Sequence, residues 1–146
     1  MKRVLFVCVG NSGRSQMAEA FFNHLARGED MATSAGTQPA DSVSRQAIAA
    51  MAEVGIDISG QRPKALTEEM IQQADRVITM GCDVAEACPA GSIPSEDWSL
   101  EDPRGQPLEK VREIRDEIRA RVLGLLAELG GPFDFAQDRP HSAETM

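Results

Sequence analysis

The sequence predicts an α/β protein: an open parallel sheet with helices on both faces, in three layers. Two observations carry that expectation. Short β-branched runs alternate along the chain with segments of helical period, and strands joined by helical crossovers pair in parallel. The first run, Arg3 to Cys8, is apolar at every position after Arg3, as in a strand buried on both faces.

The elements follow in order. A helix begins at Ser15 and runs to Leu25, with Met17, Phe21, Phe22 and Leu25 on one face and Gly28 as a stop. Residues 30–35 form a short second strand. Ser42 or Ser44 caps a helix that runs to about Val54, where Gly55 ends it. Thr67 caps a third, short helix that starts at Glu68. Asp75 to Met80 is the third strand, and a Gly-, Pro- and acid-rich loop runs from Gly81 to about Glu96. A short fourth strand lies near Trp98. In the last helix Val111, Ile114, Ile118, Val122, Leu125 and Leu129 recur at spacings of three and four, and Gly130-Gly131-Pro132 ends it. Residues 1–131 read as one domain. The remainder, 132–146, has no periodicity and reads as a loosely structured C-terminal tail.

Composition narrows the function. No run approaches the roughly 20 apolar residues of a membrane span. The apolar stretch at the start stops at Gly10-Asn11, too short for a secretory signal core, so a cytoplasmic protein with no membrane partner is expected; a monomer is the separate expectation for its assembly. A formal charge of −8 argues against nucleic acid, which needs a cationic face. The cysteines stand at 8, 82 and 88; an odd number is not a disulfide framework. Structural zinc takes four ligands in tight pairs, a pattern that Cys82, Cys88, His24 and His141 do not supply. Reactive or buried thiols remain.

The chemistry concentrates where the first strand meets the first helix, in Cys8-Val9-Gly10-Asn11-Ser12-Gly13-Arg14-Ser15. In open α/β sheets ligands bind beyond the carboxyl ends of strands. Gly10 and Gly13 let the backbone turn successive N–H groups inward on an anion, and the helix start adds partial positive charge. Arg14 offers a planar fork matched to two oxyanion oxygens. The same field stabilises a negative sulfur, so Cys8 is expected as a thiolate nucleophile. Ser15 can donate to that sulfur, and Asn11 suits a left-handed turn. Neither nucleotide-loop pattern, G-x-x-x-x-G-K-[ST] nor G-x-G-x-x-G, is present.

With those residues in view, Val4 to Phe22 resembles the signature of low-molecular-weight tyrosine phosphatases and of the arsenate reductases built on that fold. The resemblance continues through Ser34-Ala35-Gly36, Ile56 to Ser59, Val77 to Met80, Cys82 to Pro89, Asp97-Trp98 and Asp102-Pro103, covering about residues 1–129. It implies four parallel strands in the order 2-1-3-4. It also implies that Asp102 is the general acid; Glu101 and Asp97 are nearby carboxylates and lesser candidates. Some members hold a potassium ion beside the loop with Asn, Glu, Ser and Asp. Asn11, Glu19 and Ser34 match the first three, while the fourth position falls at Lys64-Ala65.

Three features favour the reductase branch. Gln16 follows Ser15 where the phosphatases typically place a Pro. The chain has no Tyr, and Arg104-Gly105 follow Asp102-Pro103 where an aromatic wall for an aryl substrate would stand. Cys82 and Cys88 then have a use: Cys82 attacks a Cys8–arsenic adduct at sulfur, arsenite leaves, and Cys88 moves the disulfide outward. The resemblance implies thioredoxin as the electron source and no bound cofactor. Gly81 stands between the third strand and Cys82, where thioredoxin-coupled members have none, which keeps glutaredoxin or a small thiol open as reductant. The alternatives are a phosphatase acting on phosphotyrosine or small phosphoesters, and a non-catalytic oxyanion or redox sensor.

Overall fold

The computed structural model describes residues 2–26, 30–80, 96–98, 100–101, 103 and 105–129. Gly28, the 81–95 loop with Cys82 and Cys88, Asp102, and the chain from Gly130 onward lie outside the described residues.

The described chain runs β1 (Arg3–Cys8), α1 (Arg14–Leu25), β2 (Met31–Gly36), α2 (Arg45–Ala52), α3 (Glu68–Gln73), β3 (Arg76–Thr79), β4 (Glu96–Asp97) and α4 (Leu108–Leu129). The strands form one sheet in the order β2-β1-β3-β4, with every pairing parallel. β1 is an interior strand, which is why its sequence is apolar throughout. Its side chains alternate between two cores: Val4, Phe6 and Cys8 pack with α1 and α4, while Leu5 and Val7 meet Ala35, Val77 and the flank of α3. Burying each of the larger ones contributes roughly 1.5–3 kcal/mol. The three layers and the strand order match the expectation.

Local chemistry sets the boundaries. The Ser44 hydroxyl accepts from the Ala47 N–H and caps α2; Ser42 does not take that role. α2 ends at Ala52, short of Val54, because Gly55 (φ 82°) lets the Ile56 N–H turn back to the Met51 carbonyl. Thr67 caps α3 through the Met70 N–H. β4 precedes Trp98, whose own N–H continues the ladder to the Thr79 carbonyl at 2.7 Å. Burial opposes ionisation of Glu96, but the Trp98 indole N–H and Arg76 hold its carboxyl below the ordinary range.

α4 buries Val111, Ile114, Ile118, Val122, Leu125 and also Leu126, with Leu129 only partly covered. Arg115 lies on the same buried face. Its Nη1 donates to the Ala50 carbonyl at 2.8 Å and to Glu53 Oε1 at 2.9 Å, so the helix docks on α2 through a satisfied cation. Among the described residues, no helix is long and apolar enough to cross a membrane.

Candidate active site

Beyond the C-terminal end of β1 lies a cavity of about 540 Å³, lined on one side by Cys8, Gly10, Ser12, Gly13 and Arg14. The segment after β2 contributes Gln38, Ala40, Asp41, Ser42 and Ser44, and Pro103 closes the third side.

The 9–13 loop is held by a backbone template. The N–H groups of Thr37, Gln38, Ala40 and Ser44 donate to the carbonyls of Cys8, Val9, Gly10 and Ser12, at 3.2, 2.8, 2.9 and 2.8 Å. Because each peptide is planar and trans, pinning those carbonyls outward turns the following N–H groups the other way, into the hollow of the loop. The Asn11 N–H accordingly reaches Cys8 Sγ at 3.2 Å. Asn11 is the residue that takes the left-handed turn (φ 51°); neither Gly10 nor Gly13 has a positive φ. At Gly13 an added Cβ would sit 3.0 Å from Pro103 Cγ, so the bare backbone leaves room for the Pro103 ring.

Cys8 is buried at the floor, and the direction of one hydrogen bond near it can be derived. Asn11 Nδ2 can only donate, and it donates to Ser15 Oγ at 2.7 Å. The single Ser15 proton is therefore free for Cys8 Sγ, 2.8 Å away. Cys8 Sγ thus faces a hydroxyl donor and a backbone N–H. Arg14 and Ser15 open α1, and no side-chain cap takes up the N–H groups of its first turn. Arg14 is 7% exposed, and its Nη1 donates to the Leu100 carbonyl at 3.2 Å, tying it to the stretch that carries Asp97 and Glu101. Asp97 itself accepts from Thr79 Oγ1 at 2.7 Å. Glu101 is exposed and pairs with Lys110 at 3.0 Å.

Behind the loop lies a second layer. Gln16, fully buried, donates through Nε2 to the Asn11 carbonyl, to Asn11 Oδ1 and to the Arg62 carbonyl, and its Oε1 accepts from Gln61. Lys64 N–H donates to Asn11 Oδ1 at 2.8 Å.

These contacts decide whether a potassium ion fits. Asn11 Oδ1 already accepts two protons, from Gln16 and Lys64. Ser34 Oγ donates to Glu19 Oε1 at 2.6 Å, and Lys64 Nζ stands 3.4 Å from that same oxygen. The oxygens that would ligate a cation are engaged by the protein's own donors, and an ammonium stands among them. The residues present do not fit potassium. Among the described residues there is also no cluster of three or more His, Cys, Asp or Glu side chains able to hold a metal.

The structure thus brings Cys8, Val9, Gly10, Asn11, Ser12, Gly13, Arg14 and Ser15 together, while Cys82, Cys88 and Asp102 fall outside the described residues. Sequence reading missed the 37–44 template and the Gln61–Lys64 support. The one available signal was Gly36, at the end of a strand that reads as β-forming.

A loop with N–H groups turned toward a buried cysteine, at the C-terminal end of an interior parallel strand, has the geometry that a cysteine-dependent oxyanion site requires. The chain belongs to the low molecular weight phosphotyrosine protein phosphatase family, whose profile matches residues 3–132. It is 44% identical to a glutaredoxin arsenate reductase of Synechocystis, over 88% of this chain and 99% of that one. It is 41% identical to a putative arsenate reductase of Halobacterium salinarum, over 84% and 89%. Among solved structures it resembles an arsenate reductase in the phosphate binding state (44% identity, TM-score 0.79, 88% and 98% covered). It also resembles the thioredoxin-dependent arsenate reductase of Corynebacterium glutamicum (37%, TM-score 0.73, 89% and 62%). A third likeness is to an arginine phosphatase of Geobacillus stearothermophilus (29%, TM-score 0.78, 89% and 94%).

Proposed function

We propose that this chain is an arsenate reductase that works through Cys8, Cys82 and Cys88. The observation that carries the reading is the Cys8 sulfur on the floor of the loop, facing the Ser15 hydroxyl and the Asn11 N–H. The loop N–H groups and Arg14 hold arsenate above it. The Cys8 thiolate forms a bond to arsenic while one arsenate oxygen leaves as water, protonated by Asp102. Cys82 thiolate then attacks Cys8 Sγ. The sulfur–arsenic bond breaks toward arsenic, arsenic(V) takes the electron pair and leaves as arsenite, and a Cys8–Cys82 disulfide remains.

Cys88 next attacks Cys82, releasing Cys8 as a thiolate and leaving Cys82–Cys88. A dithiol reductant returns that bond to two thiols. The similarity to both a thioredoxin-dependent and a glutaredoxin arsenate reductase supports a reductant of that fold class. Such a cycle belongs in the cytoplasm, where thiols are kept reduced.

A trapping experiment tests the relay. Cys88→Ser, treated with stoichiometric arsenate and no reductant, should release arsenite once and hold a Cys8–Cys82 disulfide detectable by peptide mass spectrometry. Arsenite released with no disulfide, or a disulfide formed with no arsenite, would refute it. A second reading is hydrolysis of phosphate from a small organic group. It is favoured by a cavity of about 540 Å³, larger than an oxyanion needs, and by the likeness to an arginine phosphatase. Efficient turnover of p-nitrophenyl phosphate without arsenate reduction would favour it.

A further inference from the structure

Glu19 stands in an awkward place for an anion-binding enzyme. It lies on α1 beside the support of the Cys8 loop, with its side chain only 16% exposed. A carboxylate so placed opposes the binding of any oxyanion in front of it, unless something cancels its charge. Ser34 Oγ donates to it at 2.6 Å but carries no charge. The cancelling group is Lys64 Nζ, 3.4 Å from the same oxygen.

Lys64 is also bonded to the loop by its backbone. Its N–H meets Asn11 Oδ1 at 2.8 Å, and its carbonyl accepts from Gly36 N–H at 2.8 Å. The ammonium is therefore delivered from a segment stitched to both the loop and the end of β2. We propose that Lys64 is a built-in counter-cation for Glu19, so that oxyanion binding at Cys8 is independent of any dissolved monovalent cation. The proposal rests on the reading of the Cys8 loop as an oxyanion site, and Lys64 in it is a positioning residue, since it touches no reacting atom.

The test is phosphate binding by the full reduced chain, measured calorimetrically in potassium chloride and in tetramethylammonium chloride at equal ionic strength. The wild-type protein should bind equally in both salts. Lys64→Met should weaken phosphate binding roughly three- to fivefold in tetramethylammonium, the scale of a partly exposed charge pair. Adding Glu19→Gln to Lys64→Met should restore it, because the uncompensated charge is gone; a merely structural role for Lys64 would not be rescued. Lys64→Asp should bind phosphate weakly in tetramethylammonium and recover specifically in potassium. Potassium-dependent binding by the wild-type protein, or no rescue by Glu19→Gln, would overturn the proposal while leaving the oxyanion site standing. No phosphate or arsenate binding in either salt would overturn both.

Discussion

Replacing Gly36 by Ala adds one methyl group, and the structure indicates where it would land. A Cβ at position 36 lies 2.6 Å from the Val9 carbonyl oxygen and 3.0 Å from both Asn11 N and Asn11 Cβ. Real Cβ contacts essentially never fall below 3.0 Å, so the Val9 carbonyl has to retreat by at least about 0.4 Å. Two of those neighbours are backbone, so no side-chain rotation relieves the clash. Gly36 sits in a strand without positive φ, which keeps the effect steric rather than torsional. The strain falls on the bond from Gln38 N–H to the Val9 carbonyl and on the Asn11 N–H that faces Cys8 Sγ. Overpacking of this kind costs about 1–3 kcal/mol of stability. A sub-ångström shift of a reacting group costs up to about 100-fold in rate. Urea unfolding gives the first quantity, and phosphate affinity with single-turnover arsenite release gives the second. Gly60→Ala is the control: nothing lies within 4 Å of its Cβ, and a change within about 0.5 kcal/mol is expected. If Gly36→Ala matched the wild-type protein in stability, affinity and turnover, the templating of the loop by the 36–44 segment would be wrong.

Three further predictions follow from the same geometry. Ser15→Ala removes the hydroxyl donor to Cys8 Sγ and should slow alkylation of Cys8 by iodoacetamide at neutral pH roughly ten- to a hundredfold, the worth of a hydrogen bond to a charged group; an unchanged rate would mean that the hydroxyl does not stabilise the thiolate. Gly13→Ala pushes a Cβ to 3.0 Å from Pro103 Cγ, and should lower single-turnover arsenite release roughly tenfold; release at the wild-type rate would show that the close approach of Pro103 does not matter. The third concerns pH. The Arg112 hydrogen bond, opposed by burial and helped by Arg115, holds the Glu53 carboxyl at about 2, below its ordinary 4.5. A depressed carboxyl contributes stability above its unfolded value and loses it as pH falls toward the folded one. Glu53→Gln should therefore be less stable than wild type at neutral pH, with the gap closing between about pH 4.5 and 2 in urea midpoints; a constant gap would show that the α2–α4 ion pair is not the cause.

The parts of this protein that could be read in the sequence are the parts whose physics is local. The alternation of strands and helices, the Ser44 and Thr67 caps and the Cys8–Arg14–Ser15 spacing each depend on neighbours within a few residues. What stayed hidden depends on contacts far apart in the chain. Lys64 meets Asn11 across 53 positions, and Arg115 finds the Ala50 carbonyl across 65. No periodicity marks such partners. The glycines illustrate the same limit. Conformational freedom is the reasonable expectation for Gly10 and Gly13, yet the left-handed turn falls to Asn11, and the bare Gly13 leaves room for the Pro103 ring. The fourth cation-ligand position looked like a simple departure at Lys64-Ala65. Its consequence, an ammonium beside Glu19, needed the packing of α1 against that segment.

The central claim is that Cys8 passes electrons through two further thiols rather than only hydrolysing an ester. Arsenate-dependent NADPH oxidation, coupled to thioredoxin and thioredoxin reductase, tests it most directly. The wild-type protein should oxidise NADPH mole for mole with arsenite, and Cys8→Ser, Cys82→Ser and Cys88→Ser should each oxidise none. Sustained arsenate reduction by either the Cys82→Ser or the Cys88→Ser variant would contradict it.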